Sequence, residues 1–442
     1  MTRTIDEQLV GVWQRTDRIF SILTEEALLT RPIALRHPFI FYVGHLPAFA
    51  RIHVCGGTLG QPAFSPGFDD MFSRGIDPDV DDPARCHDHP EAPDRWPDLG
   101  SVLAYRDRVR AAVRQSIDAV AERSGSDLMA DQGRVFAMVV EHELMHQETL
   151  LYMIQQLTPE LKVRPAWLPA YRCGPAAPRR TVTIPAGRVT LGADFEATPF
   201  GWDNEFPSSS VDVAGLAIDS VPVCNAALLE FVESGAYGRP DLWRAEDWAW
   251  KVQAGLDHPQ FWMRRDGRWF QQTAFDLVPL RDVEGWPAYV SLAEARAYAR
   301  WRGARLPTEA EFHRAAYGHP DGRERPFAWP EGTPGPEQGN FDFRSWAPTP
   351  VGASPDAASG WGVHELVGNG WEWTDTPFDG FPGFKAYIEA YPGYSADFFD
   401  GKHYVLKGAS WATAEALVRR SFRNWYQARY PFVFAKFRCA YD

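Results

Sequence analysis

Between residues 158 and 180 the stretch TPELKVRPAWLPAYRCGPAAPRR places five prolines, Pro159, Pro165, Pro169, Pro175 and Pro178, in one short run. Each proline locks φ and withdraws a backbone donor, so neither a helix nor a central strand passes through such a run. The apolar pattern also changes across it, from helical spacing before to short alternating stretches after. We therefore expect a linker over residues 161–180 joining an all-α domain, residues 1–160, to an α+β domain, residues 181–442. A chain of 442 residues suits such a division, because a single core rarely grows beyond about 250–300 residues.

In the first part, Leu9, Val12, Ile19 and Leu23 recur at helical spacing, which predicts a helix over residues 5–27. Further helices are expected over residues 37–54, 101–123 and 131–157. The segment GIDPDVDDPARCHDHPEAPDRWPDLG, residues 75–100, is rich in Pro and Asp without periodicity and reads as one long loop. Four helices with a long crossover make a four-helix bundle.

In the second part, strands such as TVTIPAGRVTLGA alternate with Gly-, Pro- and Trp-rich loops. Only SLAEARAYARWRG and TEAEFHRAAYG are expected as helices there. In RLPTEAEF (305–312), Thr308 should cap the second of these, with Glu311 closing a capping box. GNGWEWT (368–374) is expected as a turn with Trp371 and Trp373 packed inside.

The charge balance limits the partners. With 45 Lys and Arg against 58 Asp and Glu, the net charge of −13 gives no attraction to nucleic acid or an anionic membrane, so small molecules are the expected partners. Five scattered cysteines without a CxxC pair favour a reducing compartment over a disulfide framework. The start MTRTIDEQLVGVW has no apolar core of a secretion signal, and no apolar run reaches the roughly 18 residues of a membrane span. A cytoplasmic monomer is the expectation.

The chemistry concentrates in VVEHELMHQETLL (139–151). His142 and His146 lie four residues apart, so both project from one helical face and can reach a common ion. Two ligands make a weak site, and bundles complete such sites from a facing helix. His45, in FYVGHLPAF, is the best third ligand, since it lies mid-helix with Gly44 leaving room beside it. Each histidine alone has a plainer role as a core residue satisfied by one hydrogen bond. Glu141, Glu143 and Glu148 flank the pair, and at least one could orient a ligand imidazole. Neutral imidazoles suit Fe(II), Zn(II), Ni(II) or Cu(II), so spacing does not choose the metal. A rival cluster, Cys86, His87 and His89, lies in the Pro/Asp loop and lacks a second pair to close a tetrahedron. His37 is expected at a helix start, and His53 has no assigned role.

Together HPFIFYVGHL, HELMHQE, GNGWEWT, RLPTEAEF and FRCA carry a family resemblance. The first part resembles the DinB-like metal-binding four-helix bundle. The second is similar to the formylglycine-generating-enzyme or sulfatase-modifying domain, an α+β fold of C-type-lectin type. The two in this order resemble the ergothioneine and ovothiol sulfoxide synthases and their selenium relative, selenoneine synthase, over nearly the whole chain.

The resemblance implies a non-haem Fe(II) site on His45, His142 and His146, where O2 drives attachment of sulfur or selenium to an imidazole carbon of a histidine derivative. Three neutral ligands leave about three coordination positions open on an octahedral iron. The segment SFRNWYQARYPF (421–432) matches the family's Asn-Trp segment, which implies that Asn424, Trp425 and Tyr426 line the site for hercynine, the trimethylammonium histidine. Trp425 can present a π face to the quaternary ammonium. A tyrosine supplies a proton in the sulfur enzymes; Tyr387, Tyr391 and Tyr394 are the candidates, and Tyr426 is another by position.

The sequence departs from the γ-glutamylcysteine-using pattern at Met145, where that pattern has Gln, and at Tyr426, where it has Asp. Methionine is a poor hydrogen-bond partner, and tyrosine removes a carboxylate that would meet an amino group. The HPFIFYVGH helix looks closer to the ovothiol and selenoneine branches, and no GxGxxG-type loop for a methyl donor is found. The expected reaction joins hercynine to a selenosugar, with an ergothioneine-type C–S synthase using a cysteine-containing thiol as the alternative. Arg85, Arg95 and Arg438 could grip an anionic or polyol substrate. Cys439 is expected to be buried structure, because formylglycine-generating chemistry needs paired cysteines.

Two other classes compete. An O2-independent, metal-dependent thiol transferase needs no large second domain. A sugar-binding protein would use its histidines only for structure.

Overall fold

The computed structural model describes residues 4–73, 95–388, 391 and 394–442. The chain divides into two compact units: Met1–Ala166 with Ile388–Tyr391, and Trp167–Tyr387 with Pro392–Asp442. The rival Cys86, His87 and His89 cluster, and Arg85, lie outside the described residues.

The first unit is helical. Helix α1 (Ile5–Phe20) starts at a Thr4/Glu7 capping box and buries Leu9, Val12, Trp13 and Ile19. Helix α2 (Phe39–Ala50) is buried along its whole length and contains Pro47. Pro47 withdraws one intrahelical hydrogen bond, and from Arg51 to Thr58 the chain winds as a π-helix. A short helix, α3 (Pro66–Phe72), follows; the sequence pattern does not predict it. Helix α4 (Leu99–Gln115) is capped by Asp98 and ends where the Ser116 hydroxyl bonds back to the Ala112 carbonyl, so that α5 (Ile117–Ala121) is separate. Helix α6 (Arg134–Gln156) begins later than expected because Gln132 and Gly133 have φ of 54° and 67°, a left-handed turn no helix can include.

Gln147 on α6 donates to the Val12 carbonyl at 3.1 Å and to Thr16 Oγ1 at 3.0 Å, which fixes α6 against α1. Among the described residues no helix is long and apolar enough to cross a membrane.

The second unit mixes short sheets and helices. Strands β1 (Thr181–Ile184), β2 (Gly187–Leu191), β3 (Ser209–Val213) and β4 (Leu216–Asp219) come first. Helices α7 (Asn225–Glu233) and α8 (Ala245–Gln253) follow; neither is expected from the sequence, because at nine residues each they carry little periodicity. Strands β5 (Trp262–Arg265), β6 (Arg268–Gln272) and β7 (Leu277–Pro279) form an antiparallel meander. Helices α9 (Leu292–Trp301) and α10 (Glu309–Tyr317) both open on capping boxes, Ser291/Glu294 and the expected Thr308/Glu311.

The last strands are β8 (Gly370–Pro377), β9 (His403–Ala409), β10 (Asn424–Gln427), β11 (Ala435–Lys436) and β12 (Ala440–Tyr441). A four-stranded sheet runs in the order β10-β9-β8-β11, and β12 joins β4 and β1. GNGWEWT is thus a turn only at its start: Gly368 and Asn369 have φ of 88° and 62°, and Trp371 and Trp373 lie on β8. Cys439 is buried, and burial pushes its thiol up to about 12.

Arg438 is not a surface grip for substrate. It is fully buried and holds Glu372 through two of its nitrogens, one at 2.9 Å, while Lys436 lies 3.6 Å from the same carboxylate. Arg438 lies in the link between β11 and β12, where Phe437, Cys439 and Ala440 are buried as well, so neither composition nor alternation reveals its position. Glu372→Ala would leave two buried cations without their partner, so it is expected to cost about 3–5 kcal/mol, read as a lower denaturation midpoint of the second unit. A loss under 1 kcal/mol would show that neighbouring carbonyls carry these cations instead.

Candidate metal centre

His45 on α2 and His142 and His146 on α6 meet in the interior of the first unit. One ligand nitrogen from each lies within 4.8 Å of the others, and the ring centroids are 5.1, 5.0 and 4.5 Å apart. Among the described residues, these three histidines are the cluster of ligand-type side chains placed to hold one ion.

The tautomer of His45 follows from its partner. Its Nδ1 is 2.7 Å from the Phe72 carbonyl oxygen, which only accepts, so Nδ1 carries the proton and Nε2 keeps its lone pair. Gly44 is why Phe72 can come so close: a Cβ there would sit 2.4 Å from the Phe72 ring. The room expected beside His45 is therefore already filled by this ring.

His142 and His146 face each other with Nε2 atoms 3.2 Å apart. Metal–imidazole bonds of about 2.0–2.1 Å at angles of about 90–110° separate two ligand nitrogens by about 2.8–3.4 Å, so the pair fits a shared ion. Burial, and then the neighbouring imidazoles, push both histidines well below their ordinary pKa. Three neutral imidazoles with converging lone pairs are a donor set for a transition metal, and the residues fit one.

The surroundings are aromatic. Phe49 stacks on His142 at 3.6 Å and 4° between planes, and Phe41 stacks on His45 at 4.9 Å. His53, driven down to about 4 by burial and by His45, packs on Phe49 at 4.2 Å. Tyr391 also packs here, 5.3 Å from Phe49 and 5.7 Å from His53.

Glu143 does not orient a ligand. It accepts from Thr16 Oγ1 at 2.5 Å toward α1, and burial pushes it up to about 7. Neither His142 Nδ1 nor His146 Nδ1 has a hydrogen-bond partner; an aromatic ring, not a carboxylate, backs His142. His37 sits ahead of α2 against Phe41 at 4.3 Å and Trp96 at 6.4 Å, apart from the three ligands. Met145 is half-buried on α6.

The remaining candidates lie in the second unit. Asn424, Trp425 and Tyr426 form β10, so Trp425 projects from the face opposite the other two. Trp425 stacks on Phe378 at 4.4 Å and 6°, and Tyr426 stacks on Tyr430 at 5.2 Å. Asn424 Oδ1 accepts from the Trp425 N–H at 2.9 Å. Tyr387 donates to the Gly201 carbonyl. Tyr394 stacks on Trp202 at 3.9 Å and meets Trp425 edge-on at 5.0 Å. Arg95 is exposed.

Sequence reasoning missed Phe49 and Phe72. Phe49 had a readable signal, four residues after His45 on the same helical face; Phe72 had none beyond the glycine that admits it.

Two protein families match separate parts of the chain. The DinB superfamily matches residues 8–150, and the sulfatase-modifying factor enzyme 1-like domain matches residues 172–442. A hercynine oxygenase of Mycolicibacterium thermoresistibile is 34% identical over 98% of this chain and 94% of its own length. That of Mycolicibacterium smegmatis is 37% identical over 77% of each chain. Ergothioneine biosynthesis protein 1 of Neurospora crassa is 31% identical over 99% of this chain, which spans 57% of that longer protein.

Proposed function

The chain belongs to the family of ergothioneine and ovothiol sulfoxide synthases, oxidoreductase-type enzymes built from a DinB bundle and a sulfatase-modifying domain, and from that premise we propose that it joins selenium of a selenosugar to an imidazole carbon of hercynine: the imidazole C–H and the Se–H are lost while O2 is reduced, one oxygen ending on selenium and the other in water, at an Fe(II) that His45, His142 and His146 would hold. The observation that carries this is the convergence of three neutral imidazoles in an aromatic, buried setting. When bound there, Fe(II) supplies O2 chemistry and coordination positions for a soft selenium or sulfur donor.

The protein's own residues position and protect. The rings of Phe41 and Phe49 hold two ligand imidazoles in plane and keep water from them. The Phe72 carbonyl fixes the His45 tautomer. Trp425 and Asn424 belong to the hercynine site in this reading. Of the three candidate tyrosines, Tyr391 is the one packed on the Phe49 ring that backs His142, and it is assigned as proton donor. Met145 and Tyr426 offer neither the amide nor the carboxylate that an amino-acid thiol would call for, which supports selenium. The partners are hercynine, a selenosugar and O2, handled by a cytoplasmic monomer. Residues 1–160 hold the metal, and residues 181–442 build the organic-substrate site.

A C–S synthase using a thiol is the second reading, favoured by the relatives named hercynine oxygenase. Anaerobic loading with Fe(II), then hercynine, O2 and either a selenosugar or γ-glutamylcysteine or cysteine, separates the two by mass spectrometry. A hercynine–selenium adduct is the expected product. Sulfoxides from the thiols alone would establish the second reading, and no O2-dependent product from any pair would leave the thiol transferase.

A further inference from the structure

The two arginines that lead into β1, Arg179 and Arg180, meet the end of β4 in different ways. Arg179 lies 3.8 Å from the Asp219 carboxylate. Arg180 is held through its backbone: its N–H donates to Ser220 Oγ at 3.0 Å, and its carbonyl accepts from the Ser220 N–H at 2.7 Å. The Arg180 guanidinium is left with no carboxylate or hydrogen-bond partner among the described residues. The Ser220 carbonyl also accepts from the His364 N–H at 2.8 Å, so one residue holds Arg180 and His364 beside each other. His364 is half-buried, its Nδ1 is buried without a hydrogen bond, and its carbonyl accepts from Arg438 at 2.9 Å. Burial, and then the Arg438 charge, push the imidazole below its ordinary pKa, so near neutral pH it is uncharged and carries one N–H.

Arg180, Thr181, Ser220 and His364 line one cavity of about 400 Å3 within the second unit, a size in the range of small-ligand sites. Its polar lining is one-sided: a guanidinium, an imidazole and two hydroxyls, with no carboxylate among them. Ser220 Oγ accepts from the Arg180 N–H, and its own proton has no acceptor among the described residues. Ser220 is 6% exposed, and a buried donor without an acceptor costs about 1–3 kcal/mol. The remaining wall is apolar and includes Pro178, Val182 and Val221. Asn424, Trp425 and Tyr426 do not line it, so the cavity is separate from the residues assigned to hercynine.

We propose that this cavity binds a small organic carboxylate with an apolar body, the carboxylate meeting Arg180 and Ser220 and the body resting on Pro178 and the two valines. An exposed arginine alone is ordinary solvated surface. This one differs because the buried hydroxyl and the imidazole nitrogen beside it also lack partners. A guanidinium fork matches a planar carboxylate with two parallel N–H donors, and such charge-assisted bonds are about twice as strong as neutral ones. A phosphate dianion is less suited, since one arginine lines the cavity and the apolar wall gains nothing from an ion without an apolar part.

The test uses the whole chain without hercynine or added metal, with benzoate as the probe and saturation-transfer NMR titration as the readout. Wild type should bind benzoate more tightly than benzamide, its neutral counterpart. Arg180→Gln should weaken benzoate about tenfold or more and leave benzamide unchanged, because a hydrogen bond to a charged group is worth about that factor. The Arg180 side chain is exposed and its backbone makes the Ser220 bonds, so this variant keeps the fold. Arg180→Lys, which keeps the charge and loses the fork, should bind benzoate with intermediate affinity, and Ser220→Ala should weaken it severalfold. Equal benzoate affinity in wild type and Arg180→Gln overturns the proposal. So does an equal loss of benzoate and benzamide, which would mean that the charge is not read. Inorganic phosphate that binds through Arg180 where benzoate does not would also overturn it, and would make the cavity an inorganic-anion site. Neither hercynine nor metal enters the measurement, so the result is independent of the reaction run at the metal centre.

Discussion

Replacing His142 with alanine is expected to lower bound metal from one ion per chain to a small fraction and to cut turnover by more than about a thousandfold, the size expected when a catalytic metal is lost. Two imidazoles remain after the change, on different helices; among the described residues the ligand group contains no carboxylate, and Glu143 is committed to Thr16. The loss of stability should be small without metal and large with it. Without an ion, wild type holds two buried Nε2 atoms 3.2 Å apart, so one must donate to the other while both Nδ1 atoms lack partners. Removing one imidazole relieves that desolvation and offsets part of the cavity it leaves beside Phe49. With metal at a thousand times its dissociation constant, wild type gains about 4 kcal/mol that the variant cannot. Metal content together with melting curves in Fe(II) or in a chelator checks both statements. Full metal occupancy in His142→Ala would place the ion elsewhere in the chain.

How much of this was legible in the sequence depends on the range of the interaction. The His142/His146 pair is a local signal, since spacing alone puts both on one face of α6. The capping box at Thr308 is equally local. His45 required the assumption that a facing helix brings a third imidazole to the pair, and its ring lies 5.1 and 5.0 Å from theirs. Phe72 lies 27 residues from His45, and its carbonyl, a group every residue carries, does the work. Arg438 shows the same limit: a charged residue reads as exposed until its partner is placed beside it. Helices α7 and α8 escaped notice because they are short and lean on tertiary packing more than on periodic composition.

Gly44 offers the sharpest separation of architecture from chemistry, because it has no side chain to bind an ion and acts on His45 only through Phe72. Helix propensity alone favours alanine over glycine in the interior of α2 by about 1 kcal/mol, and Gly44 is not among the residues with positive φ. Sterics oppose it: the added Cβ would lie 2.4–2.5 Å from three atoms of the Phe72 ring, and Phe72 is 0% exposed. Overpacking of a rigid ring costs about 1–3 kcal/mol, so Gly44→Ala should be neutral to about 2 kcal/mol destabilising in the metal-free protein. The larger effect should fall on the metal. Displacing Phe72 moves the carbonyl that fixes the His45 tautomer, and loss of such a partner typically costs about 10–100-fold in metal affinity. Adding Phe72→Leu to Gly44→Ala should recover part of that affinity, because the smaller side chain vacates the space the new methyl needs and returns the backbone toward His45. Phe72→Leu alone should change affinity little. Titration of the four proteins with Fe(II) or Ni(II) closes the cycle: a coupling near zero would mean that Gly44 and Phe72 do not act on His45 through one another, and that His45 is held by α2 itself.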